Sequence, residues 1–471
     1  MPQLPGDCLN NIFEYLEDDK NTLYSCMFVN RLWCEASVEI FWRNGCDYSI
    51  SNVNTLVACL PNESKENLYN NGITFLTSTT KIPIFNYASF CKVLSISYIH
   101  QKIEELFENQ QMTQRQFLAS TNLVVQEICK MFMNQIISLK RLVLLQRENT
   151  FISTFILYHY SGAKNCLKNL SELHCHSQFS REIFSQLSKI CHNISLLHLD
   201  VCLHSNLCGL TELISVQKNL KHFIITHYPD TVTEISSLIE KLPNTIIKLN
   251  ISRFYSSWFI NKLPNLQELE LLTETEEDFI DFENLYFSEL KVLRFRYSRP
   301  NNILLIRFLK NNGKNLKELS VCESDDIINL AISEFCTNLR KLSAGLKNDE
   351  LETLKFVFKG CRYLKSIEFW CGGGLLNEKE ALEVIAKHSH ENISEIILNH
   401  QHFKQSAKLL PNELESFLIN WASRVPQRLL SLVIITKDYN KMSLDKNEEN
   451  MKIIKKYLEL GIIKKFEVLF Q

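Results

Sequence analysis

The chain has 471 residues, 45% of them hydrophobic and 22% charged, and Lys+Arg 51 against Asp+Glu 53 leaves a formal charge of −2. This excludes a mainly disordered chain and gives no global bias toward nucleic acid or an anionic membrane. The length allows about three domains of ~150 residues or one extended repeat array. With 12 Gly and 10 Pro, several glycine-cradled phosphate sites are not expected.

The opening Met1–Asp7 has neither a basic n-region nor an apolar h-region, so no secretory signal is expected. No run approaches the ~18 apolar residues of a membrane span. The expected setting is intracellular, cytoplasmic and/or nuclear, where thiols stay reduced. The 16 cysteines include no C-x-x-C pair, which counts against zinc modules and thioredoxin-like sites. They read as small buried apolar residues.

Leu9, Ile12, Phe13 and Leu16 fall at i, i+3, i+4 and i+7, one face of a helix, with Pro5 at its start. Glu17–Asn21 is a polar break. A short helix follows over Thr22–Phe28, and a third runs through Trp42 with Trp33, Ala36, Ser37 and Ile40 on one face. Three helices in about forty residues form a very small core, and such a module exposes apolar surface unless it docks on a partner.

Leu4-Pro5, Leu9, Ile12-Phe13, Leu16, Asp18-Asp19, then Leu23, Cys26, Val29, Arg31 and Trp33 resemble an F-box; Gly6 departs from the pattern. The resemblance implies docking on the Skp-type adaptor of a cullin-RING ubiquitin ligase. It makes Leu4, Pro5, Leu9, Ile12, Phe13, Leu16 and Trp33 the adaptor-binding set, each either in the contact or in the small core beneath it.

Residues 44–130 read as a linker and irregular capping repeats. Short helices are expected over Asn54–Leu60 and Glu63–Asn70, a strand over Lys92–Ile96 and a helix over Leu123–Ile137. From 131 to 471 one phrase recurs: apolar-x-x-apolar-x-apolar. It begins at Leu139, Leu170, Ile194, Leu220, Ile246, Leu266, Leu290, Leu316, Leu339, Leu364, Ile393, Leu429 and Ile463, a mean spacing of 27 residues. Asn precedes several copies, as at Asn169, Asn219, Asn265, Asn315 and Asn338. Helical segments lie between the phrases. Thr231-x-x-Glu234, Asp349-x-x-Glu352 and Asn377-x-x-Glu380 signal helix starts, and Leu414, Phe417, Leu418 and Trp421 share a face. One strand and one helix per repeat predict a curved α/β solenoid with strands on the concave face and helices on the convex face. The phrase resembles leucine-rich repeats of the cysteine-containing type, through Cys336/Leu339, Cys361/Leu364 and Cys191/Ile194. The whole chain resembles F-box proteins with C-terminal leucine-rich repeats, as in expanded fungal F-box families.

Catalytic signals are weak. Adjacent strand residues point to opposite faces, so His174-Cys175-His176 cannot share one metal ion. His388-x-His390 and His400-x-His402 lack further ligands at fixed spacing. Cys371-Gly372-Gly373-Gly374 lacks the endings of a phosphate loop. No nucleophile elbow or H-E-x-x-H occurs. No metal, cofactor or catalytic residue is expected.

The two x positions flanking the phrase's last apolar residue should project from the strands into the concave face. They include His174, His176, His198, Asp200, Glu270, Arg294, Arg296, Glu368 and Trp370. Arg294 and Arg296, with Arg299 beyond, read as a bidentate acceptor for a carboxylate or phosphate, and Trp370 as an aromatic anchor. The expected candidate target-binding set is His174, His176, His198, Glu270, Arg294, Arg296, Glu368 and Trp370.

The expected function is substrate recognition in an SCF-type (Skp-cullin-F-box) ubiquitin ligase. The F-box would hold the adaptor and the repeats an unidentified substrate protein, with proximity as the mechanism. No nucleic acid or membrane partner is expected. A scaffold that binds the adaptor without promoting ubiquitination, and an enzyme with a site in the concave cleft, are the other two readings.

Overall fold

The computed structural model describes residues 4–73, 83–108, 110–145, 160–202, 207–227, 235, 238–252, 260–276, 279–347, 351–372, 375–400, 408–426, 428–436 and 443–470. The expected features at Thr231–Glu234, Asp349, Gly373-Gly374 and His402 lie outside these. The fold is mixed α/β, helical at the N-terminus and then a parallel-sheet repeat array. It divides into two compact units, 1–245 and 246–471.

The first unit opens with α1 (Gly6–Glu14), α2 (Lys20–Cys26) and α3 (Arg31–Phe41). The polar break supplies the second helix's cap: Asp19 accepts from the Thr22 N–H at 3.0 Å and from its hydroxyl at 2.6 Å. Asn30 does the same for α3, accepting from the Trp33 N–H at 3.0 Å. Leu9, Phe13, Leu23, Cys26, Ala36 and Ile40 close the core, with Leu16, Leu32, Trp33 and Phe41 half-buried against it. Gly6 has no steric need to be glycine. A Cβ there would meet only Leu32 Cδ1, at an ordinary 3.7 Å.

The helical module joins the sheet directly. Arg43 forks onto Glu14 at 2.7 and 2.9 Å, which holds the Glu14 carboxyl below its usual range. The Arg43 carbonyl accepts from Lys92 N at 2.8 Å and Val93 N at 3.1 Å, and Asn44 bridges Val93 in parallel. Gly45 lies against this joint, where a Cβ would stand 2.8 Å from the Val93 carbonyl oxygen. Trp42 lies between Tyr48 and Tyr87, at 5.2 and 4.6 Å between ring centres, and the Tyr48 hydroxyl donates to the Trp42 carbonyl at 2.6 Å.

Helices α4 (Ile50–Ala58), α5 (Asn62–Asn70), α6 (Ile96–Phe107) and α7 (Gln114–Gln135) follow, with strand β1 (Val93–Ser95) before α6. In the stretch read as linker and caps, β1 pairs in register with β2 (Arg141–Leu144). Then β3 (Glu172–His176), β4 (Leu196–Val201) and β5 (His222–His227) extend a parallel sheet, interleaved with α8 (Ala163–Leu167), α9 (Arg181–Ile190) and α10 (Cys208–Ser215). The phrase dictates the register: Leu142, Leu173, Leu197 and Phe223 form one row, and Leu144, Cys175, Leu199 and Ile225 the next. All eight are buried. Fully burying one such aliphatic side chain stabilises by ~1.5–3 kcal/mol, and in a stack it does so only against neighbouring repeats.

The second unit repeats the scheme with β6 (Lys248–Ser252), β7 (Glu268–Leu272), β8 (Val292–Phe295), β9 (Glu318–Val321), β10 (Lys341–Gly345), β11 (Ser366–Trp370), β12 (Glu395–Asn399), β13 (Leu430–Thr436) and β14 (Ile463–Phe470). Each is parallel to the next. Helices α11 (Asn302–Asn312), α12 (Asp326–Phe335), α13 (Leu351–Gly360), α14 (Glu378–His388), α15 (Pro411–Ala422) and α16 (Glu448–Glu459) fill most connections. The Asn377/Glu380 capping box starts α14, and Leu414, Phe417, Leu418 and Trp421 are the buried face of α15.

The recurrent Asn has a physical role. Its amide reaches back one repeat: Asn169 Nδ2 to Ser138 Oγ at 3.2 Å, Asn315 Nδ2 to the Ser288 carbonyl at 3.1 Å, and Asn338 Nδ2 to the Lys314 carbonyl at 2.9 Å. Buried amides do the same in the interior. Gln217 donates to the Cys191 and Leu213 carbonyls and accepts from Ile194 N. Asn312 donates to the Leu285 and Phe308 carbonyls and accepts from Phe287 N.

Ten of the sixteen cysteines are buried and only Cys8 and Cys208 are exposed. Burial pushes the Cys91, Cys129, Cys166, Cys191, Cys322 and Cys361 thiols up to about 12. Because the thiolate is the reactive form, a maleimide near neutral pH should label Cys8 and Cys208 first. The buried set should react only after denaturation, as peptide mass spectrometry would read. Labelling of Cys336 or Cys361 in the native protein at the rate of Cys8 would contradict the packing.

Candidate interaction surfaces

The F-box residues separate into two groups. Leu9 and Phe13 are 1% exposed and belong to the core. Leu4 at 50% and Ile12 at 47% face solvent, as does Pro5. Leu16 and Trp33 are half-buried, and Trp33 meets Phe13 edge-on at 5.3 Å between ring centres. Further apolar side chains are exposed on the same small module: Tyr15, Tyr24, Phe28 and Val29. Tyr24 and Phe28 stand edge-to-face at 5.1 Å, one helical turn apart. The sequence reading did not single out Tyr15, Tyr24 and Phe28 as exposed apolar residues. Their signal was position: they fall off the buried helix faces yet are large and apolar.

On the strand face of the first unit, His174 and His198 are register partners with ring centres 5.1 Å apart, and His198 Nε2 lies 3.5 Å from Asp200 Oδ1. His176 Nε2 contacts Cys202 Sγ at 2.8 Å, and its Nδ1 accepts from Gln178 N at 3.3 Å. Burial lowers both His174 and His176, and the His198 charge lowers His174 further. Cys175 points the other way and is fully buried. Among the described residues, no group of three or more His, Cys, Asp or Glu is placed to hold a metal ion.

The second unit corrects the expected anion acceptor. Arg294 Nε donates to Glu318 Oε1 at 2.9 Å, and its Nη1 stands 3.7 Å from Glu268 and 3.9 Å from Glu270. Arg296 Nε donates to Glu270 Oε1 at 2.5 Å. Arg299 is spent on the Glu323 carbonyl, Asn302 and Asp325. Burial would push Arg294 down, but Glu318, Glu270 and Glu268 together hold it above its usual value. Glu270 is itself nearly buried, also accepting from Asn250 Nδ2 at 2.9 Å. Glu368 accepts from Asn399 Nδ2 at 2.7 Å and lies 3.8 Å from Lys341 Nζ. An incoming carboxylate would have to displace these partners.

Trp370 is a second correction. Expected as an exposed anchor, it is 5% exposed and its Nε1 donates to Ser343 Oγ at 2.9 Å. The chain after β11 turns back, with Leu376 N donating to the Leu346 carbonyl at 2.9 Å. Leu375 then approaches Gly345, where a Cβ would stand 3.0 Å from Leu375 Cδ1 and 2.3 Å from the Cys322 carbonyl oxygen. What remains is a pocket of about 310 Å³ at the C-terminal ends of these strands, to which Arg296, Arg299, Trp370 and Leu375 contribute.

Comparison with known proteins agrees with this geometry at the N-terminus. Residues 1–47 match the family model described as F-box-like, so the helical module is an F-box-like domain. No curated protein matches the chain's sequence. Among solved structures, the chain is similar to the leucine-rich repeat-containing protein LegL7 from Legionella pneumophila, with 15% identity, 61% of this chain and 92% of that chain covered, and a TM-score of 0.37. It is also similar to a structure of the Rad7 and Elc1 complex in yeast, with 12% identity, 81% and 90% covered, and a TM-score of 0.35. Among the described residues, no helix is long and apolar enough to cross a membrane.

Proposed function

We propose that this chain is the substrate-recognition subunit of an SCF-type ubiquitin ligase. The observation that carries the proposal is the F-box-like domain with a core closed beneath Leu9 and Phe13 and a second set of large apolar side chains left in solvent. So small a module spends Leu4, Ile12, Tyr15, Tyr24 and Phe28 on solvent only where a partner covers them. A Skp-type adaptor is that partner, and through it a cullin-RING ligase. The repeats supply the target-holding half. They bring no chemistry of their own in this reading; they raise the effective concentration of a target lysine near a charged conjugating enzyme.

The test is purification of the full chain from its own cells with a proteasome inhibitor present. Stoichiometric Skp-type adaptor, a cullin and proteins that accumulate only under inhibition are expected. Adaptor without cullin, or partners whose turnover is unchanged when the chain is deleted, would favour a non-degradative scaffold.

A further inference from the structure

The net charge of −2, from which no nucleic-acid partner is expected, conceals a local asymmetry in the second unit. The stretches that lead into β8, β9, β10 and β11 are residues 285–291, 313–317, 336–340 and 361–365. They hold Lys291, Lys314, Lys317, Arg340, Arg362 and Lys365 against one carboxylate, Glu289. At the C-terminal ends of the strands the sign turns, where Glu274, Glu276 and Glu323 line the pocket beside Trp370. Backbone bonds hold the four stretches in one ladder. Lys317 N donates to the Lys291 carbonyl at 2.7 Å, Arg340 N to that of Lys317 at 2.7 Å, and Lys365 N to that of Arg340 at 2.8 Å. Neighbouring strands are ~4.8 Å apart, so Lys291 to Lys365 spans roughly 14 Å.

These cations stay unneutralised. Lys291 Nζ donates to the neutral amide of Gln267 at 2.9 Å. Among the described residues, Lys314, Lys317, Arg340, Arg362 and Lys365 have no carboxylate partner. One residue further along the charges do pair: Glu318 takes Arg294, and Lys341 faces Glu368. The row borders a recess of about 350 Å³, in whose wall the Tyr363 ring stands 61% exposed. Asn315 and Asn338 line the same recess. Each spends one amide N–H on a backbone carbonyl, that of Ser288 and that of Lys314, and keeps its oxygen and a second N–H.

We propose that the N-terminal edge of β8–β11 binds single-stranded RNA. A line of unpaired cations beside an aromatic ring offers a single strand both of its contacts: phosphates track the charge, and a base stacks on the ring. At a rise of ~3.4 Å per stacked nucleotide, the row faces roughly four phosphates. The recess admits a base that has left its stack, which a duplex keeps inside. The remaining amide groups of Asn315 and Asn338 match the 2′-hydroxyl, which both donates and accepts. An acidic protein segment would satisfy the charge but leave the ring and the amides unused. The inference stands on the charge and geometry of the second unit alone and is independent of the adaptor.

The test is fluorescence anisotropy of the full chain with a labelled mixed-sequence RNA of about twelve nucleotides, within the usual range of single-strand sites. Its duplex, the single-stranded DNA of the same sequence and polyglutamate of equal charge serve as comparisons. The single-stranded RNA should bind tightest. Its log K should fall against log salt with a slope of roughly −3, as four phosphate contacts at ~0.7 each imply. Lys317→Gln with Arg340→Gln should make that slope shallower by about 1.4, two contacts' worth. Tyr363→Ala should weaken binding at least about fivefold with the slope unchanged, and Tyr363→Phe should bind as the unaltered chain does. All three positions are exposed, so circular dichroism and co-purification of the Skp-type adaptor should be unchanged. Polyglutamate binding as tightly as the RNA, or indifference to Tyr363→Ala, would overturn the proposal and assign the row to an acidic protein partner. Equal or tighter binding of the duplex or of the single-stranded DNA would also overturn it. So would an unaltered affinity and slope in the Lys317/Arg340 double variant, which would place the RNA elsewhere on the chain.

Discussion

Alanine at Leu4 and Pro5 together is expected to abolish binding of purified Skp-type adaptor to the full chain at low-micromolar protein. Truncating a buried interface anchor commonly costs ~2 kcal/mol or more, over thirtyfold in affinity. Both residues are exposed, so the variant should keep its circular dichroism spectrum and melting behaviour. Phe28→Ala should weaken the adaptor in the same way, because Phe28 and Tyr24 form an edge-to-face pair open to solvent. Trp33→Ala is less diagnostic. That indole packs on Phe13, so its loss would loosen the three-helix core as well as the contact. Calorimetric titration against wild type decides the matter. Intact binding by the Leu4/Pro5 double variant would remove the adaptor from the proposed function.

Phe282→Ala should be among the most destabilising single changes in the second unit, by about 3–5 kcal/mol as for other buried aromatic truncations. Phe282 is fully buried and stacked on Phe308 at 4.4 Å, and it meets Phe279 and Phe295 edge-on, each at 5.7 Å. Phe295 lies in β8 and Phe308 in α11, so one side chain ties a strand to the following helix. Native-state hydrogen exchange reads the loss locally: β8 and α11 amides should lose protection while α1–α3 keep theirs. Unchanged protection at Val292–Phe295 would show that the cluster does not bear on the strand as described.

The repeat was legible because its signal is local and redundant. Within each unit the described copies place the phrase's middle apolar residue in one sheet row, with only Phe466 in β14 left partly open. The F-box anchors were legible as a set but not by role, since helical periodicity groups Leu9, Ile12 and Phe13 on one broad face. Only packing shows that Ile12 lies outside it. The arginines were misread for a different reason. A strand taken alone says that Arg294 and Arg296 share a side; it does not say what the next strand places opposite, although Glu270 and Arg294 are register partners. Trp370 failed because alternation describes an uncovered strand, and here the returning Leu375–Leu376 segment covers its end.

The joint at Arg43 bears on how a partner on α1 or α2 sees the first repeats. The chain leaves the third helix and within three residues is bridged to β1 at Val93, with Trp42 held between two tyrosine rings. There is no slack to pay out. A protein seated on the F-box-like domain keeps a fixed bearing to β1–β5, so what it presents to those strands becomes a matter of line of sight instead of diffusion on a tether. A flexible insert after Arg43 would exchange that single bearing for a cone of them.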